Sequence, residues 1–101
     1  MLGGDHPDVG SSHTRVGTVC MELGEHVEAH RHLDKALAIA RKAAGGGSVE
    51  VANVQFLLAR VERLEGRAEQ AKELFGAAAA IFARELGPED PHTQAALQES
   101  R

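Results

Sequence analysis

Aromatic residues are scarce in this sequence, which has no tryptophan, no tyrosine and three phenylalanines in 101 residues. Its core must therefore be built from alanine, leucine, valine and isoleucine, which suits closely packed helices better than a β-sandwich. An internal disulfide is excluded because Cys20 is the single cysteine. We interpret Cys20 as a small buried hydrophobic residue, not a reactive thiol, and expect a reducing, cytoplasmic setting.

Long apolar runs are also missing, since no stretch approaches the roughly 20 residues that a membrane helix needs. The N-terminal residues Met1 to Asp5 lack the apolar core of a secretory signal. A net charge of −4 argues against general binding to nucleic-acid backbones, which requires a basic surface. We therefore expect no membrane partner and no nucleic-acid partner.

What the sequence does contain is a pattern of small and apolar residues that occurs twice, over residues 23–39 and 65–81. The two copies stand at a constant offset of 42 residues, as from Ile39 to Ile81. The other matched pairs are Gly24 with Gly66, Ala29 with Ala71, Leu33 with Phe75, and Ala36 with Ala78. A fixed period of this size indicates a repeat protein.

Apolar periodicity and helix-end signals predict two helical hairpins followed by a short fifth helix. The first helix is expected to start near Pro7, with Asp5 or His6 near its cap, and to end before Gly24. The next helices are predicted at about 25–43, 49–65, 67–85 and 91–100. Leu97 is the expected docking residue of the fifth helix.

Small residues and one-sided apolar stripes predict how these helices pack. The first helix carries apolar or small residues at helical spacing, which predicts a one-sided helix; they are Val9, Val16, Gly17, Val19, Cys20 and Leu23. Gly17 would cost about 1 kcal/mol in an exposed helix interior, and it matches Ala59 in the second copy, so we expect a close helix contact there. After the glycines at 45–47, Ser48 is predicted to cap the third helix.

These features resemble the tetratricopeptide repeat (TPR) family, in particular the 42-residue variety of kinesin light chains. The interrepeat phrase of that variety is similar to LGGDHP at residues 2–7 and, in altered form, to LGPEDP at residues 86–91. The resemblance implies an all-α fold, an α-solenoid of two TPR-like hairpins plus a short C-terminal capping helix. We expect one domain over residues 1–101, with repeat one at about 7–44, repeat two at about 48–86, and a partial third repeat or cap at about 91–100. HEAT and armadillo arrays are the alternative folds.

The resemblance further implies that the first helix of each hairpin lines a concave peptide groove. The lining residues would be Ser11, Thr14, Arg15, Thr18 and Met21 in repeat one, and Asn53, Phe56, Arg60 and Arg63 in repeat two. Spacing supports the second set independently, because these four side chains share one face of a helix. Arginine binds carboxylates in bidentate fashion, so we expect a protein or peptide partner that is acidic or ends in a carboxylate. A solvated polar face is the alternative interpretation.

Histidines and hydroxyl groups are the candidates for chemistry. His26 and His30 are four residues apart, but the intervening residues do not match the zinc hydrolase motif and no third ligand is assured. Ser11, Ser12 and His13 are sequence neighbours on different helix faces, without an orienting acid. We therefore expect no metal, no cofactor, no catalytic residue and no enzymatic activity.

The sequence favours a non-catalytic interaction module that binds a partner's peptide in the groove. A self-assembling structural repeat, or a fragment of a longer scaffold array, is the alternative. Two hairpins leave apolar end faces, so a homodimer is also expected. A metal-binding or catalytic domain is the most distant alternative.

Overall fold

Five α-helices make up the computed structural model, which describes residues 7–44 and 46–101, with side chains from residue 11 onward. They are α1 (Pro7–Glu22), α2 (His26–Ala44), α3 (Val49–Leu64), α4 (Ala68–Leu86) and α5 (Pro91–Glu99). No strand occurs within these described ranges. The expected cap at Asp5 or His6 lies outside the described residues, but α1 does start at Pro7.

Each helix packs mainly on its neighbours in the chain: α1 on α2, α2 on α3, α3 on α4, and α4 on α5. Short connections make consecutive helices antiparallel, so the chain builds two hairpins and adds α5 at the end. This is the predicted all-α solenoid. Within the described part of the chain, no helix combines the length and apolarity needed to cross a membrane.

The same glycine turn closes both hairpins. Gly24 and Gly66 adopt φ values of 82° and 84°, a left-handed conformation that glycine reaches without strain. In each turn a backbone N–H reaches back to the end of the helix: that of Glu25 to the Cys20 carbonyl, and that of Arg67 to the Glu62 carbonyl, both at 2.8 Å. The repeat in sequence is therefore also a repeat in backbone geometry.

Side chains cap the helices that follow the two longer connections. The Ser48 Oγ accepts a hydrogen bond of 3.2 Å from the Val51 N–H at the start of α3, which confirms the predicted cap. At the start of α5, the Asp90 carboxylate accepts from the His92 N–H at 2.8 Å, with Pro91 in the first helical turn. Both helix starts are thus fixed by local sequence.

Leu33 and Phe75, which occupy equivalent positions in the two repeats, are fully buried. Around Leu33 lies a cluster shared by α1, α2 and α3 that contains Met21, Ala29, Ala36, Val54, Leu58 and Val61. Phe75 packs with Ala59 and Ala71 between α3 and α4. The third cluster joins α3, α4 and α5 through Val51, Ala52, Ala78, Ala79, Ile81, Phe82 and Ala96.

Gly17 marks the close helix contact that its position predicts. A Cβ atom placed there would lie 2.7 Å from the Leu33 Cγ and 3.3 Å from the Ala29 carbonyl oxygen. Real Cβ atoms do not approach a carbon so closely, so only glycine allows α1 to sit this near α2.

The buried face predicted for α1 is only partly right: Gly17 is buried and Cys20 half-buried, and the side chain of Val9 lies outside the described part of the chain. Val16, Val19 and Leu23 are 44%, 54% and 70% exposed, whereas Gly17 and Met21 are buried. The reason is that α1 packs on α2 through Gly17, which turns the valines to the other side, and no helix of the described residues covers them. Leu97 is likewise exposed, because α5 docks through the smaller Thr93 and Ala96.

Candidate functional site

A cavity of about 550 Å³ opens between α1, α2 and α3. Ser11, Thr14 and Arg15 of α1 line one side, and Glu50 and Asn53 of α3 line the other. Its floor comes from α2, with Ala36, Ile39, Ala40, Ala43 and Ala44. Small side chains on α2 therefore create the space, while polar side chains stand at its rim.

A second, smaller cavity of about 220 Å³ lies between α3 and α5. Asn53 and Phe56 line it from α3, Phe82 from α4, and Pro91, His92 and Ala95 from α5. Asn53 borders both cavities, so they are adjacent depressions. We call this surface, formed by the lining residues of α1, α3 and α5, the groove face.

Phe56 is the aromatic residue that α3 contributes to the groove face. Its ring packs edge-on against the buried Phe75 ring, with centroids 5.0 Å apart and planes at 73°. Edge-to-face geometry of this kind is favourable beyond the area it buries. Phe56 is thus held in place while its remaining surface lines the second cavity.

Arg63 is already paired within the chain. It donates a hydrogen bond to the carboxylate of Glu99 on α5, and its guanidinium carbon lies 5.2 Å from the centroid of the Phe75 ring. An arginine over an aromatic face gains a cation–π attraction. Arg63 therefore tethers α5 to α3, and a ligand carboxylate at Arg63 would compete with Glu99.

Two guanidiniums are available at or beside the groove face: that of Arg15, and that of Arg60, which lines neither cavity and lies one helical turn after Phe56 on α3. Both are exposed, and neither forms an ion pair with the described residues. Arg15 lies on the α1 rim of the first cavity. Sequence reasoning grouped Arg60 with Arg63, but the structure leaves Arg15 and Arg60 as the free pair, because α5 supplies a carboxylate to Arg63.

The threonines of α1 stand at the rim in different ways. Thr14 lines the first cavity, whereas the Thr18 hydroxyl donates a hydrogen bond of 2.9 Å to the Thr14 carbonyl of the same helix. Met21, placed on the groove by the family resemblance, is instead only 4% exposed and belongs to the core around Leu33. The face of α1 toward the groove therefore ends before Met21.

The contribution of α5 was missed by sequence reasoning. His92 and Ala95 line the second cavity, and Glu99 holds Arg63. Extending the repeat would have found this surface, since Ala95 stands 42 residues after Asn53 as Asn53 stands 42 residues after Ser11. At the start of α5, the N–H and the ring of His92 bond the Asp90 carboxylate and lower the pKa of Asp90.

His30 belongs to a hydrogen-bond network between α2 and α3 that lies outside both cavities. His30 lies 2.8 Å from both Asp34 and the buried Glu62, whose second oxygen accepts from the Arg67 Nε at 2.9 Å. This bond and the charge of Glu62 raise the pKa of Arg67. The described residues contain no group of three or more His, Cys, Asp or Glu side chains arranged to hold a metal ion.

His13 and His32 pair across the first hairpin. Their Nδ1 atoms lie 3.0 Å apart, so one ring must accept while the other donates. The pKa of His13 is lower than its ordinary 6.5, chiefly because the ring is partly buried and also because His32 and Lys35 lie nearby. At this position the second repeat has Gln55, whose buried Oε1 has no hydrogen-bond partner among the described residues.

Comparison with solved structures identifies the kind of fold. The chain aligns with BtubC (BKLC) from P. vanneervenii at a TM-score of 0.81 and 20% identity, over 90% of this chain and 36% of that one. It also aligns with a Podosopora anserina protein described as a kinesin light chain with nearly identical TPR-like repeats. For that protein the TM-score is 0.76 and the identity 27%, over 98% of this chain and 47% of that one. A variant of the same protein with one glutamine replaced by methionine gives 0.78 and 28%, with the same coverage.

The chain is a helical-repeat solenoid of the TPR-like class. More specifically, its repeats are similar to those of kinesin light chain-like proteins, as the sequence resemblance implied. It spans 36% to 47% of the length of these three structures. No protein-family profile and no curated protein sequence matches the chain.

Proposed function

We propose that this chain is a non-catalytic protein-interaction module whose groove face binds an extended, acidic segment of a partner protein. The observation that carries the proposal is the pair of adjacent cavities that share Asn53 as a wall. An extended segment could place one apolar side chain in each cavity. The TPR-like fold, which is generally non-catalytic, supports this interpretation, and a cytoplasmic location forms part of the same proposal.

The acidic character of the segment follows from the two unpaired guanidiniums. Because the net charge of the chain is −4, the overall field does not attract an acidic ligand, and attraction must come from Arg15 and Arg60. Guanidinium–carboxylate pairing is strong when bidentate and only partly screened at physiological salt. Asn53 and Thr14 stand at the rim, where their polar groups could bond the ligand's backbone.

A peptide array tests the proposal, using peptides of about 12 residues (~3.3 Å each when extended) with varied Asp and Glu content around one leucine or phenylalanine. The strongest binder is then titrated by fluorescence anisotropy against the wild type and Arg15→Glu/Arg60→Glu. We expect at least a tenfold loss of affinity (about 1.4 kcal/mol) with unchanged helicity. The control is Arg31→Glu/Arg41→Glu, which changes the net charge equally at two α2 residues that line neither cavity, and it should bind nearly as the wild type does.

Equal losses in both double variants would show that only net charge matters and would contradict a groove site. Binding that prefers basic or neutral peptides would contradict the acidic ligand. Phe56→Ala should also weaken the binder, and that loss should persist at high salt, where the arginine contribution fades.

A further inference from the structure

The apolar surface that α1 leaves uncovered has the spacing of a helix-pairing stripe. Val16, Val19 and Leu23 follow one another at intervals of three and four residues, which places them along one line of a helix. Val19 is 54% and Leu23 70% exposed. We call these three residues the α1 stripe.

The second repeat shows what covers this side of a helix. Leu58 and Val61 of α3 stand 42 residues after Val16 and Val19, yet they are 3% and 0% exposed. They are buried in the cluster around Leu33, to which α2 contributes, and α2 is antiparallel to α3. The chain itself therefore covers the equivalent side with an antiparallel helix.

Charges beside the α1 stripe indicate which antiparallel helix fits it. Arg15 and Glu22 are both exposed and stand seven residues apart, so they flank the same edge of the stripe. When two identical helices pack antiparallel, the same edges meet with reversed direction. Arg15 of one copy then faces Glu22 of the other, twice by symmetry, and Val19 lies next to the two-fold axis.

We propose that the chain forms a two-fold homodimer in which the α1 stripe packs antiparallel against the α1 stripe of a second copy. When Arg15 of one copy faces Glu22 of the other, no like charges meet among the described side chains of α1. An interface formed by one helix from each chain buries less accessible surface than the roughly 1,200 Å² at which stable protein–protein interfaces begin. The dimer is therefore weak, with a dissociation constant on the order of 100 µM.

Sedimentation equilibrium of the full chain, from about 1 µM to about 1 mM, tests this proposal. The wild type should fit a monomer–dimer equilibrium, and Val19→Glu should remain monomeric because two carboxylates would meet at the axis. The matched control is Leu64→Glu on α3, since Leu64 is 55% exposed and Val19 54%. This control should dimerise as the wild type does, and circular dichroism should show both variants equally helical.

Charge exchange distinguishes this dimer from other assemblies. Arg15→Glu and Glu22→Arg should each weaken dimerisation about tenfold, and the double variant should restore it. A monomer at all concentrations, a dimer insensitive to Val19→Glu, or a double variant that fails to recover would overturn the proposal. Growth beyond the dimer, as in head-to-tail stacking, would overturn it as well.

Discussion

At the scale of single residues, two glycines inside helices provide a matched test of the packing. Gly17→Ala places a methyl group against Leu33 and the backbone of Ala29, so we expect destabilisation by about 1 to 3 kcal/mol despite alanine's higher helix propensity. Gly76→Ala in α4 meets nothing within 4 Å and should stabilise by up to about 1 kcal/mol. Chemical denaturation measures both. If both variants change the free energy of unfolding by the same amount in the same direction, the close contact of α1 and α2 is contradicted.

His13 gives a residue-scale prediction for pH. Its pKa is lower in the folded chain than its ordinary 6.5, so the unfolded chain binds the proton first as the pH falls. Stability should therefore decrease below about pH 6.5, because the folded state favours the neutral ring.

Thermal melts at pH 7.5 and 5.5 (about one unit either side of 6.5) measure this loss. His13→Gln, which copies the residue of the second repeat, should lose less stability than the wild type over this interval. If the variant and the wild type lose the same amount, the pairing of His13 with His32 does not make the fold sensitive to acid.

At the scale of elements, α5 affects ligand binding at the groove through the carboxylate of Glu99, which pairs with Arg63. Glu99 forms an ion pair with Arg63. Glu99→Gln removes this pair, so the Arg63 guanidinium should become available to the ligand and strengthen binding of the acidic probe peptide several-fold. Fluorescence anisotropy measures the change, and Glu89→Gln, in the connection before α5, is the control. Unchanged or weaker binding by Glu99→Gln would mean that Arg63 is not in reach of the ligand.

Helices and their ends were largely predictable from the sequence, because capping and turn residues act locally. Pro7, Gly24, Ser48 and Gly66 place helix ends within about one residue of those observed. Which side of α1 is buried was not predictable, because apolar spacing marks a stripe without saying what covers it. The pairing of Arg63 was missed for a similar reason: it depends on where α5 docks, and that is set by Thr93 and Ala96.

At the scale of the whole molecule, the groove face and the α1 stripe divide the surface into two binding regions that meet at Arg15. The groove face carries the two cavities, with Arg60 beside them on α3, and the α1 stripe carries the exposed valines. Arg15→Glu should therefore weaken both ligand binding and dimerisation, whereas substitutions away from Arg15 should separate them. Phe56→Ala should affect only the first, and Val19→Glu only the second.

The central claim is that the groove face, not the outer surface of α2, is where a partner segment binds. The most direct measurement is a titration of ¹⁵N-labelled chain with the acidic probe peptide, followed by backbone chemical shifts in NMR spectra. The account predicts that the largest shift changes fall at Thr14, Arg15, Asn53, Phe56 and Arg60, while the outer residues of α2 stay unchanged. Changes centred on His26, His30 and Arg31 would contradict it.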